Sequence, residues 1–239
     1  MPTVSIVIPA YNEASNLAQT MDRVSTIASE LKMDYEIILV NDGSLDQTEE
    51  IARNLVKRLP RTRLVGHRPN RGYGGALKAG YAAAGKDWIA IFPADGQFDF
   101  SEIRRLLAKT GQADLICGYR QHRRDAPMRL LNAWGWNSLV RLLFGYLCRD
   151  IDCGFKLFRR DILAQVPLES DGAMIDTEFL VGAKAHGYRI AEVPVTHLPR
   201  LGGKATGAKP AVILRAFLDL LRFRFKSSRK TRQHQPAHG

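Results

Sequence analysis

Phe92-Pro93-Ala94-Asp95-Gly96-Gln97-Phe98-Asp99 closes the short apolar run Trp88 to Phe92. That run has the length and composition of a buried strand. Pro93 stops it, because a proline has no N–H to give to a central ladder. Asp95, Gln97 and Asp99 then follow within five residues, around Gly96. An acid at the mouth of a buried strand is costly unless something positive meets it. A carboxylate beside an amide oxygen suits a hard cation such as Mg²⁺ or Mn²⁺, which takes oxygen ligands and shares them with phosphates. Taken alone, the same residues also make an Asx-Gly turn with solvated acids.

Upstream of this point, strand and helix alternate. Thr3 to Ile8 is a β-branched run ended by Pro9, and a helical pattern follows from about Ser15 to Leu31 with Leu17, Met21, Val24, Ile27 and Leu31 on one face. Tyr35 to Val40 reads as a second strand, and Asp46 to Leu59 as a helix with an acidic start. Arg63 to His67 is a third strand, and Asn70 to Gly75 is a glycine-rich turn into a helix ending near Gly85. Four such alternations predict a mostly parallel, doubly wound α/β sheet with helices on both faces. In such sheets ligands bind outside the carboxyl ends of the strands, at a topological switch point. Four polar clusters lie near those ends: Tyr11 to Glu13, Asn41 to Ser44, Asn70 to Gly75, and Asp95 to Asp99.

Downstream, Ser101 to Lys109 reads as a helix and Asp114 to Tyr119 as a strand. Pro127 to Leu147 is rich in Leu and Trp without a clear element, and Asp150 to Phe158 reads as a turn and an edge strand. Ile162 to Val166 is expected to be a helical turn, Asp176 to His186 a helix and Arg189 to His197 a strand. Ala211 to Lys226 is strongly amphipathic and is followed by a polar, basic tail. An apolar face with a basic flank either lies on an anionic membrane or packs on the core.

Composition narrows the function classes. The 239 residues suit one large α/β domain, and a formal charge of +11 points to a polyanionic partner: nucleic acid, an anionic membrane or a phosphorylated substrate. No nucleic-acid motif accompanies the basic residues, which cluster late in the chain. The three cysteines, Cys117, Cys148 and Cys153, have no disulfide or zinc spacing and fit a reducing cytosol. No apolar run is long enough to span a bilayer, and the N-terminus opens on a strand rather than a leader. Several motifs stay open at this level. Asp42 sits either in a plain β-turn or where it accepts hydrogen bonds from a nucleotide. Gly72 to Gly75 is either a phosphate cradle or a site of close helix packing. Asp176 and Glu178 are either favoured by a helix dipole or catalytic. Arg200, Lys204 and Lys209 form either a solvated loop or a diphosphate clamp.

Five motifs in order, IVIPAYNE (6–13), VNDGS (40–44), NRGYGGALKAG (70–80), PADGQFD (93–99) and DCGFKLF (152–158), resemble the family 2 inverting glycosyltransferases over roughly the first 205 residues. Within them the chain is similar to the dolichyl-phosphate mannosyltransferase branch, which includes bacterial polyprenyl-phosphate sugar transferases. The resemblance implies a GT-A fold in residues 1–205, with a nucleotide-sugar half at 1–117 and an acceptor half at 118–205. Residues 206–239 would add the amphipathic helix and basic tail. It implies transfer of a hexose from a GDP- or UDP-sugar to a polyprenyl phosphate, on the cytoplasmic face of a membrane to which the protein binds peripherally. The alternatives are a hydroxyl acceptor, or a binding module without catalysis. Pro9, Tyr11, Glu13, Asp42 and Asp95 would hold the nucleotide sugar, and Asp95 with Gln97 a divalent metal. Asp95, Arg200 and Lys204 would serve catalysis at the leaving diphosphate, and Arg120 the acceptor phosphate. The family pattern has an acid where Pro93 stands, so the usual Asp-x-Asp pair is incomplete.

Overall fold

Two stacks of apolar side chains, one on each face of a single sheet, organise the molecule. The computed structural model describes residues 2–121, 127–199 and 219–224. β1 (Val4–Ala10) lies between β2 (Tyr35–Asn41) and β4 (Trp88–Ile91), parallel to both, and β3 (Thr62–Gly66) extends the sheet beyond β2. Val4, Ile6, Ile8, Ile37, Leu39 and Ala90 point to one face, and Val7, Ile38, Val40, Ile89 and Ile91 to the other. This is the period-two alternation of strands buried on both sides.

Helices cover each stack. On the first face lie α1 (Leu17–Glu30), α2 (Thr48–Arg58) and the short α4 (Ile103–Leu107), burying Leu17, Met21, Val24, Leu55, Ile103 and Leu106. On the second lie α3 (Tyr73–Ala83), α5 (Pro127–Phe144), the single turn α6 (Ile162–Gln165) and α7 (Met174–Ala185). α5 was not legible as an element in the Leu/Trp-rich segment, because apolar residues surround it without a period.

The strand order is β3-β2-β1-β4-β6-β5-β7, where β5 is Leu115–Gln121, β6 is Lys156–Arg159 and β7 is Ile190–Thr196. The chain winds outward from β1 through β2 to β3, then α3 carries it back across to β4. The switch point therefore falls between β1 and β4. β5 and β7 are parallel to each other, whereas β6 is antiparallel to both of its neighbours, β4 and β5.

β6 corrects the sequence expectation of an edge strand. It is central, and Phe155, Lys156, Leu157 and Phe158 are all fully buried. A lysine in a short strand suggests an edge only when its charge reaches solvent; here the ammonium is met inside the protein. The expected amphipathic helix of residues 211–226 falls on described residues only at 219–224, which are helical. There Leu220 is buried, and the Phe223 ring lies 5.7 Å from that of Phe144 on α5.

α3 approaches the sheet closely because of Gly80. A Cβ there would lie 2.3 Å from Val7 Cγ1 and 3.1 Å from Val40 Cγ2, both on stiff, β-branched strand residues. Gly80→Ala is expected to destabilise the fold by about 1–3 kcal/mol despite the better helix propensity of alanine. Urea unfolding of the variant measures this, and a neutral or stabilising result would show that α3 can retreat from the sheet.

Candidate active site

The carboxyl ends of β1 and β2 are laced together. Asn12, in the left-handed region at φ 55°, receives the Leu45 N–H at its Oδ1 (2.8 Å), and its own N–H donates to Ser44 Oγ (3.1 Å). The Glu13 N–H donates to Thr48 Oγ1 (2.9 Å), and the Glu13 carboxylate accepts from Asn16 Nδ2 (2.8 Å). Pro9 and Tyr11 are partly exposed on this rim.

Asp42 is buried, and its carboxylate is heavily used within the protein. Oδ1 lies 2.7 Å from His67 Nε2 and accepts the Arg71 N–H (2.9 Å), while Oδ2 accepts from Asn70 Nδ2 (2.8 Å). Three of roughly four lone-pair positions are thus occupied. Asp42 ties the loop 67–71 to the end of β2 and so shapes this wall of the cleft.

At the end of β4, Asp95 Oδ1 accepts the Gln97 N–H (3.1 Å), which closes the turn. The Gln97 side chain is buried, with Nε2 3.4 Å from the Leu198 carbonyl and 3.3 Å from His197 Nε2. Asp99 is separate from these two: it accepts the Ser101 N–H (3.0 Å) and caps a 3₁₀ turn at Phe100–Glu102. The rings of Phe92, Phe98, Phe100 and Phe155 pack beneath the loop at 5.0–6.5 Å between centroids. Pro93 faces the turn before β6, where a Cβ on Gly154 would lie 2.6 Å from Pro93 Cγ. Asp95 and Gln97 give one carboxylate and one amide side chain at the switch point. These are hard oxygen donors, and the donor set fits Mg²⁺ or Mn²⁺ with its remaining ligands drawn from a bound diphosphate.

A charged layer lies alongside, built from β5, the 150–154 turn, β6 and α7. Arg120 Nε and Nη2 fork onto Asp150 Oδ2 and Oδ1, each at 2.7 Å, and the Arg120 N–H reaches the same carboxylate at 3.2 Å. That bidentate pairing raises the already high pKa of Arg120 against the effect of burial. It also commits the Nε and Nη2 of a side chain that is almost wholly buried. Lys156 Nζ lies 2.7 Å from Asp176 Oδ1, with both residues buried. Burial works to strip the proton from Lys156, but the attraction of Asp176 prevails and its pKa is raised. Burial likewise pushes the Asp176 carboxyl up, against the pull of Lys156. Glu178 serves the backbone: its carboxylate accepts the Glu169 N–H and the Ser170 N–H, each at 3.0 Å.

Two further groups face this layer. Asp152 is only partly exposed, and burial, followed by the charges of Asp176 and Asp150, pushes its carboxyl up to about 6. Tyr73, at the start of α3, has a phenol held well above its ordinary pKa by burial and then by Asp176, Cys153, Asp152 and Asp95. The glycine-rich turn that opens α3 is no phosphate cradle. The Gly74 N–H donates to the Asp171 carbonyl (2.9 Å), and a Cβ on Gly74 would meet the Ser170 carbonyl at 2.5 Å. Its glycines let the 169–172 loop lie against the helix start.

Arg200, Lys204 and Lys209 lie outside the described residues. Tyr73, Asp152 and Lys156 lie inside motifs read from the sequence, and Asp150 at the edge of one, but motif reading gave none of them a role. A lysine within the apolar run Phe155 to Phe158 was the available signal, because such a charge demands a buried acid.

Residues 5–166, more than half of the chain, match the family described as Glycosyl transferase family 2. The chain is 29% identical to a dolichyl-phosphate beta-glucosyltransferase of Dictyostelium discoideum, over 93% of this chain and 74% of that protein. It is 30% identical to a dodecaprenyl-phosphate galacturonate synthase of Rhizobium johnstonii, over 98% of this chain and 69% of that one. Among the first such relatives the chain spans from 33% to 74% of their length. In fold it is similar to glucosyl-3-phosphoglycerate synthase of Mycobacterium tuberculosis, solved with Mn²⁺, UDP and glucosyl-3-phosphoglycerate. That match has a TM-score of 0.73 at 21% identity and covers 92% of this chain and 79% of that one.

Two outcomes are expected. Lys156→Met leaves Asp176 buried without its cation and should cost about 3–5 kcal/mol, whereas Lys156→Met with Asp176→Leu should recover most of that loss. Denaturant titrations of the single and double variants decide it; equal losses would mean that water reaches the pair. The Asp152 carboxyl rises from the ordinary value near 4 to about 6 on folding. The folded state therefore holds its proton more tightly, and stability falls as pH rises through that window. Asp152→Asn should remove the decline, so its advantage over the wild type is absent at pH 4 and reaches about 1–2 kcal/mol at pH 7, allowing for solvent screening. Parallel melts across pH 4 to 7 test this.

Proposed function

From the membership of this chain in glycosyl transferase family 2, we propose that it transfers a hexose from a GDP- or UDP-sugar to a polyprenyl phosphate, inverting the anomeric centre. The names of its relatives carry glucose and galacturonate on dolichyl and dodecaprenyl phosphates. The donor is therefore drawn from the wider polyprenyl-phosphate branch, with glucose favoured over the mannose of the mannosyltransferases.

The observation that carries this reading is the state of the α7 acids. A hydroxyl acceptor needs a general base, since an alcohol is a poor nucleophile at neutral pH. Asp176 is held by Lys156 at 2.7 Å, and Glu178 is taken up by backbone N–H groups. Neither is poised to accept a substrate proton. A lipid monophosphate needs no such base, because its second pKa is about 6 and it is already a nucleophilic dianion at pH 7. One of its oxygens attacks the anomeric carbon as the bond to the nucleoside diphosphate breaks, and the electron pair leaves on the diphosphate. The chain's part is to hold the two in line and to meet the departing charge.

In this reading Pro9, Tyr11 and Glu13 border the nucleoside, with Asp42 fixing the wall beside it through loop 67–71. Asp95 and Gln97 would hold the divalent cation, which when bound neutralises diphosphate charge. Arg200 and Lys204 would meet the leaving group, and Arg120, oriented by Asp150, would meet the acceptor phosphate. A second reading, a hydroxyl acceptor, is favoured by one observation: the Asp152 carboxyl, raised to about 6, is suited to general-base work.

Incubation with nucleotide hexoses and a polyprenyl phosphate in detergent tests the two. On the first reading a glycosyl phospholipid of inverted configuration forms, and Asp95→Asn, Arg200→Ala and Lys204→Ala each lower kcat by about 10²-fold or more. Asp176→Asn and Asp152→Asn, corrected for folded fraction, then lose less than Arg200→Ala. Loss of several orders of magnitude in Asp152→Asn or Asp176→Asn, with folding and donor binding intact, would establish a hydroxyl acceptor. Donor binding without product would leave a binding module.

A further inference from the structure

His197 follows the last residue of β7 and is buried, with its ring 5.9 Å from that of Phe98. A latch fixes it there. One residue earlier, the Glu102 carboxylate accepts the Thr196 N–H (2.7 Å) and the Thr196 hydroxyl (2.9 Å). Arg105 holds the same carboxylate at 3.0 Å and reaches back to the Pro194 carbonyl, also at 3.0 Å. One residue later, the Leu198 N–H donates to the Gln97 carbonyl (2.9 Å). The end of β7 is thus pinned to the 3₁₀ turn on one side and to the Asp95–Gln97 turn on the other. His197 sits between the two pins.

The same arrangement sets how the Gln97 amide is turned. A primary amide has two opposite ends: Nε2 gives two hydrogens, and Oε1 only accepts. The Leu198 carbonyl also only accepts, and it lies 3.4 Å from Gln97 Nε2. His197 Nε2, 3.3 Å from the same nitrogen, takes the other hydrogen. Turning the amide by half a rotation would set Oε1 against the Leu198 carbonyl oxygen, two acceptors with no hydrogen between them. Both hydrogens are therefore spent on the protein, and Oε1 is the end left over. Among the described residues Oε1 accepts no hydrogen bond, and it is not sealed off from solvent. A hard cation can take such an oxygen without first breaking a bond to it.

We propose that His197 is a positioning residue: together with the Leu198 carbonyl it fixes the Gln97 amide with Oε1 available to a divalent cation, and so sets the affinity of that site. This role rests on the reading of Asp95 and Gln97 as the cation's ligands. It gives His197 itself no bond to the cation, because its Nε2 lone pair is taken by the Gln97 amide. Partners of this kind hold a ligand's orientation from behind, and losing one typically costs about 10–100-fold in metal affinity. The Glu102–Thr196 latch extends the same control one step further, since it holds the backbone on which His197 is carried.

Mn²⁺ binding to the full chain tests this without turnover, read from the electron paramagnetic resonance of free Mn²⁺ with UDP or GDP present. His197→Phe keeps a ring against Phe98 but removes the acceptor, and should weaken Mn²⁺ binding by about tenfold or more. His197→Gln, whose side-chain oxygen accepts from the Gln97 amide, should return to within about threefold of the wild type. Melting curves recorded in parallel establish that both variants are folded. Gln97→Ala should lose at least as much affinity as His197→Phe. Loss in Gln97→Ala with wild-type affinity in His197→Phe overturns the role of His197 and leaves Gln97 a ligand. Unchanged affinity in Gln97→Ala overturns the ligand reading itself. Nitrogen coupling from an imidazole to bound Mn²⁺ in the wild type also overturns the proposal, because His197 would then be a ligand. If His197→Phe does not fold, Thr196→Val decides in its place, since Thr196 is exposed. A loss of about threefold or more then supports the proposal, and no loss overturns it.

Discussion

Lys156 places an ammonium in the middle of the sheet, where water does not reach, and Asp176 meets it at 2.7 Å. Much of the acceptor side follows from that pair. Because the charge is neutralised from α7, β6 can occupy a central position rather than an edge. Because β6 is central, the turn before it lies against Pro93 at the end of β4. α7 in turn holds the 169–172 loop through Glu178, and that loop lies on the glycine-rich start of α3. Tyr73, at the start of α3, registers that layer: burial and then the charge of Asp176 hold its phenol well above its ordinary pKa. Breaking one partner strands a buried charge, so the arrangement is held more strictly than hydrophobic packing alone would hold it.

The donor side depends on a different principle. There, neutral and charged hydrogen bonds tie loop to loop at the ends of β1 and β2, and Asp42 organises the strand-to-helix connection through His67, Asn70 and Arg71. A residue read from sequence as contacting a nucleotide directly is thus also a part of the protein's own scaffold. Rigid loops of this kind lower the ordering cost of holding a flexible ligand.

The first half of the fold was legible because its strands are short apolar runs closed by polar turns and its first helix carries Leu17, Met21 and Val24 at helical spacing. The strands Val4–Ala10 and Tyr35–Asn41 lie within two residues of the segments expected. Legibility ended where local pattern and tertiary context part. α5 carries apolar residues on both faces and so has no period to detect. β6 contains a lysine whose partner lies 20 residues away, on another element. The Asp95–Gln97 turn could be located by its place after a strand, but the separation of Asp99 as a helix cap could not, since both lie in one polar cluster. The raised carboxyl of Asp152 was hidden for a similar reason: it comes first from burial and then from Asp176 on another element, with Asp150 two residues away adding to it.

The antiparallel insertion of β6 also has a consequence for how the molecule assembles. β5 is made before β6, yet β5 and β4 touch only through it. A nascent chain that ends short of Lys156 holds the group β3-β2-β1-β4 and the lone strand β5, each with an unsatisfied edge where β6 belongs. Closing the sheet means threading a late segment between two earlier ones, a non-local step of the kind that slows folding and leaves edges open to wrong partners. Synthesis of residues 156–159, rather than of the longer strands before them, marks when the sheet can become one.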